Sequence, residues 1–109
     1  MERRQHRRVP VHVQGFLLGN SHETEAVTLD LSVSGAKFEC ELEVYPGKVI
    51  RVRLIIPGAE KPVSIEDARV QWVGDDTFGV SFQSIRPAEL DELEQLINEY
   101  AEAEGSGHA

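Results

Sequence analysis

Four arginines, Arg3, Arg4, Arg7 and Arg8, crowd the first eight residues, opposed there only by Glu2. A guanidinium is planar and stays charged at every physiological pH. Its paired N–H donors grip the oxygens of a phosphate or carboxylate two at a time. Further along, Asp30-Leu31-Ser32-Val33-Ser34-Gly35 sets a carboxylate, a hydroxyl and a glycine at fixed spacing. The carboxylate accepts hydrogen bonds and the hydroxyl donates or accepts them. Glycine permits a positive φ and a close approach of backbone to a ligand. Residues 30 and 32 lie two apart, so on an extended strand they face the same side. Each segment also has a plainer reading. An Arg-rich terminus is commonly solvated charge or a weak nucleic-acid tail, and Asp, Ser and Gly each favour turns.

The charge distribution narrows the choice. The chain carries −8 over 109 residues, but its first eight sum to +3 and the other 101 therefore to −11. A small cationic arm on an acidic body suits a small anion. An extended phosphate backbone would meet repulsion, so no duplex nucleic acid is expected as partner. The length allows one domain with one core. No apolar run approaches a membrane span, and no apolar stretch follows the arginines as a secretory signal would require. The lone cysteine, Cys40, cannot close an internal disulfide, and a cytoplasmic location is the expectation. His6, His12, His22 and His108 are scattered without metal-ligand spacing. No carboxylate pair suggests acid–base work and no nucleophile elbow is present, so neither an enzyme nor a cofactor is expected.

Short alternating runs must position these groups. Val9, Val11 and Val13 alternate with polar residues and predict a first strand, which Gly19-Asn20-Ser21 would end. Val27, Leu29 and Leu31 predict a second, and Ala36, Phe38 and Cys40 a third. Pro46-Gly47 and Pro57-Gly58 bracket an apolar run at 49–56. Val63 and Ile65 share one parity, while Ala68, Val70 and Trp72 take the other. That slip near Glu66-Asp67 predicts a β-bulge or two separate strands. Gly74-Asp75-Asp76 predicts a hairpin turn before Phe78, Val80 and Phe82. From Pro87 the period changes: Leu90, Leu93, Leu96, Ile97 and Tyr100 predict an amphipathic helix over about 87–103, followed by a disordered tail at 104–109. The expected fold is all-β, a six-stranded antiparallel barrel, closed or nearly so, with one C-terminal α-helix over a mouth or flank. Residues 1–8 form a flexible arm, and the domain proper spans 9–103. Trp72 reads two ways: by parity it belongs to the core or barrel mouth, and by chemistry its ring can stack on a base.

The two segments resemble the signatures of the PilZ domain family, R-x-x-x-R and [D/N]-x-S-x-x-G. Arg4 and Arg8 fill the first, with Arg3 before it; Asp30, Ser32 and Gly35 fill the second. Ala68-Arg69-Val70-Gln71-Trp72 and Phe78-Gly79-Val80-Ser81-Phe82 look like the family's last two strands, and the resemblance covers residues 2 to about 100. It implies a split-barrel-type PilZ fold and a bacterial second messenger, cyclic di-GMP, as ligand. It also implies a site of Arg3, Arg4, Arg8, Asp30, Ser32, Gly35 and Trp72. Arginine can bridge guanine N7 and O6, and a carboxylate accepts from the opposite edge. An Arg before the first motif goes, in this family, with an intercalated ligand pair rather than one molecule. The expected mechanism is an arm that folds over the barrel around the ligand and signals to an unidentified downstream protein. The alternative is a PilZ-fold adaptor that docks a protein without binding nucleotide, as members lacking the motifs do.

Overall fold

Alternation becomes barrel wall in the computed structural model, which describes residues 8–19 and 23–106, with side chains as far as Tyr100. The strands are β1 (Gln14–Leu18), β2 (Glu23–Ser32), β3 (Gly35–Glu39), β4 (Val49–Leu54), β5 (Val63–Val73) and β6 (Thr77–Ser84), followed by helix α1 (Pro87–Ser106). All neighbours pair antiparallel and close in the order β1-β2-β3-β6-β5-β4. The expected all-β six-stranded barrel with a C-terminal helix is therefore what the chain forms. Gly47 and Gly58 adopt positive φ in the turns that flank β4, which only glycine does without strain.

Phe38, Phe78, Leu17, Leu31, Ile50 and Leu54 are among the side chains buried inside. One rim gathers the start of β1, β3 and β5 and the end of β2, β4 and β6. Helix α1 leaves from that rim and packs on β2 and β5, which lie on opposite sides of the barrel, so it spans the mouth. Leu93, Leu96 and Ile97 supply its buried stripe. Glu89 in its first turn accepts a hydrogen bond from the Ser64 backbone N–H at 3.1 Å, tying the helix to β5. No described helix is long and apolar enough to cross a membrane.

Three expectations need correction. Val9, Val11 and Val13 are buried as the alternation required, but they are not the first strand. Pro10 has no N–H to donate to a ladder, and the segment runs beside β2 on a single bridge, Val9 to Leu31. Thr28 supplies the missing ladder: its hydroxyl accepts from the Val13 N–H at 2.9 Å and donates to the Val11 carbonyl. In β2, Ala26 and Thr28 point inward and Val27 outward, opposite to the expected parity. A bulge between Thr28 and Asp30 then flips the face, so that Leu31 is buried. The helix continues to Ser106 rather than ending near 103, because Ala101-Glu102-Ala103-Glu104 are good helix formers that an apolar-period reading ignores. The slip at Glu66-Asp67 is a bulge within one continuous β5, opposite Arg51 of β4. Asn20, Ser21 and residues 107–109 lie outside the described residues.

Candidate functional site

Register carries side chains of four strands into one line on the outer surface. Asp30 of β2 stands opposite Lys37 of β3, Lys37 opposite Gly79 of β6, and Gly79 opposite Trp72 of β5. The adjoining row, Leu31, Ala36, Val80 and Val70, is buried inside, which fixes the first row as outward. A second row of the same parity follows at the rim: Ser32 and Gly35, both buried, then Ser81 and Arg69. Together the two rows and the adjacent Arg8 hold three cations, Arg8, Lys37 and Arg69, against one anion, Asp30. A surface strip that is locally positive on an otherwise acidic body focuses a small anion there.

Trp72 reaches this face through a backbone irregularity. The register shifts between Val70 and Trp72, so the extra residue moves the indole from the inward parity of Ala68 and Val70 to the outside. It is 43% exposed, and the core reading of Trp72 falls. The indole packs closely against Gly79: a Cβ built there would fall 2.3 Å from Trp72 Nε1 and 2.6 Å from Cε2. The Lys37 ammonium lies over the ring, with Nζ 5.7 Å from its centroid.

At the other end of the line Arg8 forms an ion pair and hydrogen bond with the Asp30 carboxylate. The reciprocal backbone bonds between Val9 and Leu31, at 3.0 and 2.9 Å, hold Arg8 beside β2. Side-chain exposures of 48% for Arg8 and 31% for Asp30 leave both groups open to solvent. Such a pair contributes only about 0.2–1 kcal/mol.

Ser32 and Gly35 have structural contacts within the chain. Ser32 is 1% exposed, and its hydroxyl accepts from the Ser34 N–H at 3.1 Å and lies 3.1 Å from the Ser34 hydroxyl. It therefore shapes the turn between β2 and β3. Gly35 does not adopt a positive φ. Its need for glycine is steric: a Cβ would fall 2.3 Å from the carbonyl oxygen of Val80 on β6. The close approach at Gly35 is to a neighbouring strand, as a crowded barrel rim requires.

Of the seven residues expected at the site, Arg8, Asp30, Ser32, Gly35 and Trp72 lie on these two rows or against them; Arg3 and Arg4 lie outside the described residues. Lys37, Gly79, Ser81 and Arg69 were not singled out as site residues by the motif reading. Lys37 carried a signal, since it alternates outward between Ala36 and Phe38. Gly79 carried none, because a lone glycine in a strand has no periodicity to betray what rests on it. A cleft of about 910 Å³ lies elsewhere, between residues 56–64 and α1, and shares no residue with the two rows.

The sequence model of the PilZ domain matches residues 2–99. Among the solved structures that share the fold are two with the following likeness. The Bacillus subtilis inhibitor of motility MotI/DgrA superposes with a TM-score of 0.77 at 16% identity, over 91% of this chain and 51% of that one. The PilZ domain of CeSA from a cellulose-synthesizing bacterium does so with a TM-score of 0.66 at 16% identity, over 85% and 96%. The chain thus spans about half the length of the first and nearly all of the second. No curated protein sequence matches it.

Proposed function

The chain belongs to the PilZ domain family, and on that premise we propose that it is a receptor for cyclic di-GMP that passes the binding event to a protein partner. The observation that carries this reading is the line Arg8–Asp30–Lys37–Gly79–Trp72 across four strands. It offers a fork of donors, a carboxylate acceptor, a second cation and an exposed aromatic face on one surface. A guanine dinucleotide with two phosphates needs each of these.

Arg8 and Asp30 hold each other until ligand arrives. Their exposed pair is worth under about 1 kcal/mol, whereas a hydrogen bond to a charged group contributes about 1.5–3 kcal/mol. Exchange of the pair for ligand contacts is therefore favourable. Arg3 and Arg4 add guanidinium groups from the leader. In this reading Ser32 and Gly35 shape the turn that presents Asp30, and Trp72 receives a base. The repositioned leader is the signal. The protein acts as a binding module in the cytoplasm and not as a catalyst.

Calorimetric titration of the wild type and Arg8→Ala with cyclic di-GMP tests the reading. Saturable uptake that the mutant loses is the expected result; identical isotherms remove Arg8 from the site. The endpoint separates one ligand per chain from the intercalated pair that Arg3 implies. Ligand at a hundred times its dissociation constant stabilises the fold by about 2.7 kcal/mol, which a thermal melt registers. A second reading, an adaptor that docks a protein without nucleotide, is favoured by one observation: a cleft of about 910 Å³ lies away from the charged line, beside α1. An unmoved melt with cyclic di-GMP selects it.

A further inference from the structure

Lys37 belongs to neither motif, yet it stands between Asp30 and Trp72 and its ammonium rests 5.7 Å from the indole centroid. Among the described residues it has no ion-pair partner, while Arg8 occupies Asp30. We propose that Lys37 gates the aromatic platform, covering the open face of Trp72 in the free protein and moving onto a ligand phosphate when a base stacks there. The inference rests on the cyclic di-GMP reading and deepens it.

The geometry leaves little choice of path. The Nε1–Cε2–Cζ2 side of the indole packs against Gly79. A base stacks on the ring at a van der Waals separation of about 3.5 Å. An ammonium over the ring 5.7 Å from its centroid leaves no room for a base beneath it, so stacking on that face displaces it. The cation–π contact it gives up is weak at an exposed site. A lysine is a flexible point charge rather than a fixed fork, which suits a group that changes partners. Opposed strand positions keep Lys37 and Asp30 within about 5 Å at Cβ, so a phosphate near the Arg8–Asp30 end lies within reach of its four-carbon stem.

Trp72 is the chain's one tryptophan, so its emission reports this platform alone. Wild type, Lys37→Gln and Lys37→Arg are titrated with cyclic di-GMP by calorimetry, with fluorescence and thermal melting recorded alongside. Lys37→Gln keeps its melting midpoint, changes the emission of the free protein as the cation leaves the ring, and binds about tenfold more weakly. Lys37→Arg restores affinity to within about threefold, by the same charge logic. If Lys37→Gln binds as tightly as the wild type, the gate is refuted while the ligand assignment stands. If the wild type takes up no cyclic di-GMP, both fall together.

Discussion

Placing a methyl group under Trp72 tests the platform without touching a charged residue. In Gly79→Ala the new Cβ would meet Trp72 Nε1 at 2.3 Å, and ordinary contact needs about 3.5 Å, so the ring retreats by roughly 1.2 Å. A tryptophan of about 250 Å² that is 43% exposed covers a little over half of its surface. Lifting it off Gly79 uncovers about 70 Å², or about 1.8 kcal/mol at 25 cal/mol per Å². Alanine recovers about 0.5–1 kcal/mol of the backbone entropy that glycine loses in a strand. The net loss of stability is about 1 kcal/mol, and the barrel stays folded. Binding suffers more: base stacking is worth about 1–3 kcal/mol, so a misplaced ring weakens cyclic di-GMP binding about 5- to 150-fold. Urea denaturation gives the first quantity and calorimetric titration the second, while the emission of Trp72 reports whether the ring has moved. Wild-type affinity together with unchanged emission would refute the packing of Trp72 on Gly79. A stability loss above about 3 kcal/mol, the range of core overpacking, would mean that the backbone rather than the ring had yielded.

The same methyl at Gly35 has a different outcome, because it meets the Val80 carbonyl rather than a movable ring; Gly35→Ala loses about 2–3 kcal/mol or more in urea, and a melt equal to that of Gly79→Ala contradicts the steric account. Thr28→Val keeps the shape but strips the buried Val13 N–H and Val11 carbonyl of their hydroxyl partner, which removes about 2–6 kcal/mol at about 1–3 kcal/mol per unsatisfied group; urea unfolding measures it, and a change under about 0.5 kcal/mol would show the hydroxyl dispensable. Leu93→Ala opens the helix plug over the mouth and costs about 2–5 kcal/mol, read in the same assay. Arg8→Ala changes stability by less than about 1 kcal/mol because its ion pair is exposed, so its loss of ligand uptake cannot be assigned to unfolding.

The barrel was legible because five of its strands carry a period of two and their turns carry glycine or proline. Phe78, Val80 and Phe82 are all buried, as their alternation required, and the helix stripe at Leu93, Leu96 and Ile97 faces the mouth. What sequence pattern missed concentrates at two bulges. The shift at Glu66-Asp67 could be read because apolar residues change parity across it, with Val63 and Ile65 before and Ala68 and Val70 after. The shift between Thr28 and Asp30 could not, since Val27, Leu29 and Leu31 form an unbroken apolar alternation that happens to contradict the burial. Nor could the one between Val70 and Trp72, where a tryptophan suits either face.

These two bulges lie at the ends of the same outward line. One resets β2 so that Leu31 turns inward and Asp30 faces Lys37 on the outside. The other turns Trp72 out onto Gly79. Without the first, a strict alternation from buried Thr28 would put Asp30 among the core residues. Without the second, Trp72 would follow Val70 into the barrel. The residues that break the strand rule are thus the ones that bring a carboxylate and an aromatic ring to a common surface, which is where local inconsistency is expected to serve a site rather than the fold. Deleting Gln71 would remove one bulge and leave Trp72 directly after inward-facing Val70, hence still outward and opposite Gly79. Trp72 emission should then stay that of an exposed indole, and a shift to a buried indole would refute this account of the register.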